Sequence, residues 1–148
     1  MDKAFASKLD EIVASAKRAQ PLHSCLYVED SYANTLLVEQ LISRRGDMKL
    51  LTANTGPIGI KMAQDFHPDI IFMDINLPGM SGIEAMGILQ ADPMTANIPI
   101  TALSSNAYPN QIEEGLQKGF FRYITKPFKL DEFNAAIDDM LLHVTSPG

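Results

Sequence analysis

The stretch Asp69-Ile70-Ile71-Phe72-Met73-Asp74-Ile75-Asn76-Leu77-Pro78-Gly79 decides how the chain is read. An unbroken apolar run ends on a carboxylate, and a Pro-Gly turn follows close behind. Upstream, Cys25-Leu26-Tyr27-Val28 ends in a second acidic cluster, Glu29-Asp30. Charges are kept off buried strands unless something compensates them, so two strands finishing in carboxylates point to a site. If the strands are parallel, their carboxyl ends share one edge of the sheet, where open α/β folds place their sites. Carboxylates gathered there form a hard-oxygen site suited to Mg²⁺, with Asp74 available as a nucleophile toward phosphorus.

Outward from that stretch, apolar runs alternate with helical patterns. Strands are expected at Leu26–Val28, Leu50–Ala53, Ile70–Met73, Ile98–Leu103 and Arg122–Thr125, with Pro99 tolerable only near the start of its strand. Helices are expected over Asn34–Arg45, after a Thr55 cap with Pro57 in the first turn, from Ser81 or Gly82 through Gln90, over Asn110–Lys118, and over Leu130–Leu142. In the last, Leu130, Phe133, Ile137, Met140 and Leu141 share a face. Strands separated by single helices imply βα units: a doubly wound α/β fold, its five-stranded parallel sheet covered by helices on both faces. This unit takes residues 24–145. Residues 1–23 read as a helical extension or linker, with Phe5, Leu9, Ile12, Val13 and Ala16 striping Lys3–Arg18 and a short hinge at Pro21–Ser24. That stripe must be buried on the main unit or in a homodimer, or the helix melts when isolated.

The composition narrows the function classes. A length of 148 residues suits one domain, and a net charge of −6 gives no electrostatic support for nucleic-acid binding. No stretch approaches the ~20 apolar residues needed to span a bilayer, and charges interrupt the N-terminus where a signal peptide needs an apolar core. The single cysteine, Cys25, cannot form an internal disulfide, and its strand position suits a small buried hydrophobe. A reducing, cytoplasmic setting is compatible with it.

Four of the five expected strands end in a group useful for one reaction. Glu29 and Asp30 are adjacent like charges, and a cation is the natural means of keeping both ionised; the plainer reading is a helix cap. Asp74 is exposed by the turn behind it. Asn76 offers either its backbone carbonyl to a metal or its side chain to the mouth of the site. Ser104 and Ser105 end strand four, where a hydroxyl can donate to a phosphoryl oxygen. Lys126 ends strand five as a cation beside several carboxylates.

With these landmarks in order, residues 24–143 resemble the receiver domain of two-component response regulators. The resemblance implies a flavodoxin-like strand order of 2-1-3-4-5 and a metal site of Glu29, Asp30, Asp74 and the Asn76 carbonyl for Mg²⁺. It implies Asp74, in Phe-Met-Asp-Ile-Asn-Leu-Pro-Gly, as the phosphoacceptor. Ser104 matches the switch hydroxyl, Lys126 the family's lysine with a cis bond to Pro127, and Tyr123 the aromatic switch. The implied donor is a histidine kinase or histidine phosphotransfer protein. The implied readout surface is the helix after strand four, strand five and the last helix. The wording is most similar to receivers attached to hybrid histidine kinases. Two departures stand out: Ser105 where alanine is common, and Phe120-Phe121 before strand five, either core or a docking patch.

A phosphorylation-independent scaffold on the same fold is the alternative, and the intact set of site residues argues against it. A hydrolase working through an aspartyl-phosphate needs an acid two residues beyond its nucleophile, where this chain has Asn76, and no cap domain encloses a substrate. The chain is therefore expected to be no metabolic enzyme, acting only on its own phosphorylation.

Overall fold

The computed structural model describes residues 3–18, 22–106 and 108–145. Strands and helices alternate in the order α1 (Lys3–Arg18), β1 (His23–Val28), α2 (Tyr32–Arg45), β2 (Met48–Ala53), α3 (Gly56–Phe66), β3 (Ile70–Asp74), α4 (Gly82–Ala91), β4 (Ile100–Ser104), α5 (Pro109–Lys118), β5 (Arg122–Thr125) and α6 (Leu130–Thr145). The strands form one sheet in the order β2-β1-β3-β4-β5, every neighbouring pair parallel. Three helices start where a hydroxyl is ready to cap them: Ser31, Thr55 and Ser81 accept from Asn34, Ile58 and Glu84 backbone N–H groups.

Strand alternation sorts the core into two layers. Cys25, Tyr27, Ile70, Phe72, Leu103 and Ile124 face α2 and α6, where Phe133, Ile137 and Met140 are fully buried. Leu26, Val28, Ile71, Met73 and Ala102 face α3 and α4. The same parity continues past the strand ends and decides which layer each site residue joins.

Several expected boundaries shift. β1 and β2 start earlier than expected, at His23 and Met48, whose residues pair with each other. β4 begins at Ile100 rather than Ile98, because Pro99 has no N–H for the ladder; its carbonyl still accepts from Ile71 at 3.0 Å. On α6, Leu130 is exposed and Ala136 takes the expected core place. Phe120 is buried, and Phe121 packs on the α2/α6 layer with its ring 5.4 Å from His143, so this pair is core rather than a docking patch. On α1, Phe5, Leu9 and Ile12 are exposed; the side chains of Val13 and Ala16, and the hinge residue Pro21, lie outside the described residues. Among the described residues no helix is long and apolar enough to cross a membrane.

The loop after β3 is held against α4 by a glycine. Gly82 donates to the Ile75 carbonyl at 3.0 Å, and a Cβ there would lie 2.3 Å from the Asp74 carbonyl oxygen. Gly87, one turn on, faces open space. Gly82→Ala is therefore expected to destabilise the fold by about 1–3 kcal/mol through forced backbone displacement. Gly87→Ala should stabilise by about 0.5–1 kcal/mol through helix propensity. Urea unfolding of both variants checks the pair, and equal effects would remove the close-approach explanation.

Candidate functional site

β1, β3 and β5 deliver three charged side chains to one point at the carboxyl edge of the sheet. Glu29 follows β1, with its N–H on the Ala53 carbonyl at 3.0 Å. Asp74 is the last residue of β3, and Lys126 follows β5, its N–H on the Ser104 carbonyl at 2.8 Å. The Lys126 ammonium donates to Glu29 Oε1 at 2.5 Å and to Asp74 Oδ2 at 3.0 Å. Both carboxylates are almost fully buried, with side-chain exposures of 0% for Glu29 and 4% for Asp74; the turn behind Asp74 does not expose it as expected, because Lys126 and the Asn76 N–H cover it, and this cation compensates two charges removed from water. Burial works against the ammonium, but hydrogen bonds and charge from Glu29 and Asp74 outweigh it and raise the Lys126 pKa above its ordinary 10.5. The Lys126–Pro127 peptide is cis, as the resemblance implies.

Asp74 Oδ1 accepts from the Asn76 N–H at 2.9 Å, which fixes the carboxylate from the loop side. Asp30 stays at the surface, beside a groove it shares with Glu29, Tyr32 and Thr35. Among the described residues no three His, Cys, Asp or Glu side chains stand together as a ready metal cluster. The structure thus joins Glu29, Asp74 and Lys126 by hydrogen bonds, with the exposed Asp30 next to Glu29 on the same groove.

Ser104 and Tyr123 belong to the opposite layer. Ser104 is buried; its Oγ donates to the Asn106 carbonyl at 3.2 Å and accepts from the Asn106 N–H at 3.1 Å. Asn76 Nδ2 reaches the same Oγ at 3.5 Å and links it to the Asp74 loop. Tyr123 is half-buried, and its hydroxyl donates to that Asn106 carbonyl at 3.3 Å. A cavity of about 200 Å³ beside them is lined by Ile83, Ser104, Asn106, Gly115 and Tyr123. Ser105, the departure noted above, is exposed.

Two neighbours of Glu29 escape the sequence reading. The buried Tyr27 hydroxyl donates to Glu29 Oε2, and Asn34 Nδ2 donates to Oε1 at 2.7 Å. Burial first, and the bond to Glu29 next, push the Tyr27 pKa far up, so the hydroxyl is a permanent donor. Its signal in the sequence is a spacing of two from Glu29 on a strand, which puts both on one face. Asn34 has no comparable signal, because its reach depends on how α2 sits.

Comparison with known proteins places this arrangement. Residues 25–138 match the family described as response regulator receiver domain. The chain is 33% identical over 118 residues to the polar-differentiation response regulator DivK of Brucella ovis, covering 80% of this chain and 95% of that one. It is 34% identical over 116 residues to histidine kinase P4 of Formosa agariphila, covering 78% of this chain but spanning only 8% of that relative's length. Among solved structures, it is similar to the receiver domain of sensor histidine kinase PA1611 from Pseudomonas aeruginosa, which holds a magnesium ion in its active-site cleft. That match has a TM-score of 0.74 at 28% identity, covering 82% of this chain and 98% of that one. The chemotaxis protein CheY4 of Vibrio cholerae matches with a TM-score of 0.76 at 25% identity, covering 82% and 100%.

A lysine whose pKa is raised on folding adds stability that is complete below its unfolded value and lost as pH rises through the folded one. Lys126→Met should lower stability by about 3 kcal/mol near neutrality, since it leaves two buried carboxylates without their cation. Above about pH 10.5 the wild type should lose stability more steeply than the variant. Denaturant unfolding at stepped alkaline pH measures both, and parallel curves would mean that the ammonium contributes nothing.

Proposed function

The chain belongs to the response regulator receiver family, and on that premise we propose that it accepts a phosphoryl group from phosphohistidine onto Asp74. The observation that carries this reading is the Lys126 ammonium bonded to both Glu29 and Asp74 at the end of the sheet. In the transfer, an Asp74 carboxylate oxygen forms the new bond to phosphorus while the phosphorus–nitrogen bond breaks and its electron pair stays on the donor imidazole. Lys126 offsets charge developing on the transferring oxygens from a position already set before the donor arrives. The donor is a histidine kinase or histidine phosphotransfer protein. Receivers act on their own phosphorylation and are not classical enzymes.

The donor set suits Mg²⁺, which takes hard oxygens, needs only one or two carboxylates and keeps several waters. Asp30, Asp74 and the Asn76 carbonyl would hold it, and Glu29, whose oxygens already receive three donors, fits the orienting of a bound water better than direct ligation. When bound, the ion supplies further neutralisation of the phosphoryl oxygens. Phosphorylation adds a charge of roughly −1.5 to −2. Ser104 then exchanges its bond to the Asn106 carbonyl for a phosphoryl oxygen, and Tyr123 turns into the neighbouring cavity. The change is read on the face of α5, β5 and α6. Residues 24–145 form this receiver and residues 1–23 an extension to it, a division supported by the exposed Leu9 and Ile12 of α1, with His23 already joining β1.

Intact-mass measurement after incubation with a small phosphodonor tests the proposal. The wild type should gain one phosphoryl group in the presence of Mg²⁺, and neither the metal-free protein nor Asp74→Asn should do so. An equal adduct on Asp74→Asn would sink the assignment. A wild type that takes neither a phosphoryl group nor beryllofluoride would favour a scaffold.

A further inference from the structure

The phosphoacceptor reading leaves unexplained why Glu29 is held by two further side chains, Tyr27 and Asn34, besides Lys126. Tyr27, fully buried on β1, donates to Oε2 from beneath; Asn34, in the first turn of α2, donates to Oε1 from the flank. Oε1 also accepts from Lys126 at 2.5 Å, so Asn34 and Lys126 share this oxygen while Tyr27 holds the other. The hydroxyl is itself held in place. The Tyr27 ring packs edge-on against Phe133 at 6.3 Å, and Phe133 stacks on Phe72 at 4.1 Å and on Phe128 at 5.2 Å.

A glutamate has one more rotatable bond than an aspartate, and a carboxylate on such an arm reaches several positions unless something chooses among them. We propose that Tyr27 and Asn34 are positioning residues that clamp Glu29, so that the acidic pocket is preset for Lys126 and for the hydrated Mg²⁺ ion. This rests on the phosphoacceptor reading, and it adds two residues that touch neither the phosphoryl group nor the metal. Supporting groups of this kind hold ligand geometry, and their loss typically weakens metal binding without abolishing it.

The test is Mg²⁺ binding by titration calorimetry, read as a double-mutant cycle. Tyr27→Phe keeps the ring and removes only the hydroxyl, and it should weaken Mg²⁺ binding by about tenfold. Made on top of Glu29→Gln, the same change should alter affinity by less than about twofold, because the clamped carboxylate is already gone. An equal loss in both backgrounds would mean that the hydroxyl acts elsewhere and would overturn the clamp. So would an affinity unchanged from wild type. Asn34→Ala, at a half-exposed helix position where alanine is favoured, gives the same cycle should Tyr27→Phe fail to fold. A wild type that binds Mg²⁺ and is phosphorylated, beside a silent Tyr27→Phe, refutes the clamp alone; a wild type that does neither refutes the site reading with it.

Discussion

One partly buried ammonium holds the carboxyl edge of this sheet together. Glu29 and Asp74 are both removed from water, and two carboxylates at that depth repel unless a cation stands between them. Lys126 provides it, and the surrounding structure serves its placement. The Ser104 carbonyl fixes the Lys126 backbone, the Asn76 amide turns Asp74, and Tyr27 and Asn34 hold Glu29. No buried side-chain polar atom among the described residues lacks a partner. A polar cluster satisfied this completely specifies one geometry, whereas a partly satisfied one would be a source of disorder.

The two helices that follow β3 and β4 are anchored very differently. α4 is capped by Ser81, donates from Gly82 to the Ile75 carbonyl and buries Ala85, Met86 and Leu89. α5 starts at Tyr108 with no side-chain cap, and among its residues only Gly115 is buried while Leu116 stays exposed. Elements with few buried apolar contacts open at low free energy. The firmly anchored helix thus registers the loop after Asp74, and the loosely held one borders the cavity beside Ser104 and Tyr123.

Much of this was legible before any coordinates. Strand period and helix caps give the parallel sheet, and the parity of Tyr27, Phe72 and Ile124 already assigns Glu29, Asp74 and Lys126 to one layer. Local pattern also found Asp74 and Lys126 as isolated charges at strand ends. It could not find Asn34, whose bond to Glu29 exists only once α2 has docked. It placed β4 two residues early because Ile98 is apolar, while the ladder obeys the missing N–H of Pro99. It put Leu130 on the apolar face of the last helix by spacing alone, although Leu130 is the first residue of α6 and stays exposed. Phe120-Phe121 stayed ambiguous for the same reason: hydrophobicity states an affinity for burial without naming the surface that meets it.

The sheet also acts as a partition. Glu29, Asp74 and Lys126 lie in the layer of α2 and α6, and Ser104 and Tyr123 in the layer of α3, α4 and α5. Between the layers run the main chain of the strands and the Asn76 side chain, whose Nδ2 reaches Ser104 Oγ at 3.5 Å. Substitutions that stay on one side of the sheet therefore leave the side chains of the other side in place, and the Asn76 side chain is a point where the two meet. On the proposed function, a lineage can revise the α5 surface that a partner would read while Asp74 keeps its surroundings, and it can alter those surroundings while keeping that surface. Fidelity of chemistry and freedom of wiring are separately heritable in a chain folded this way.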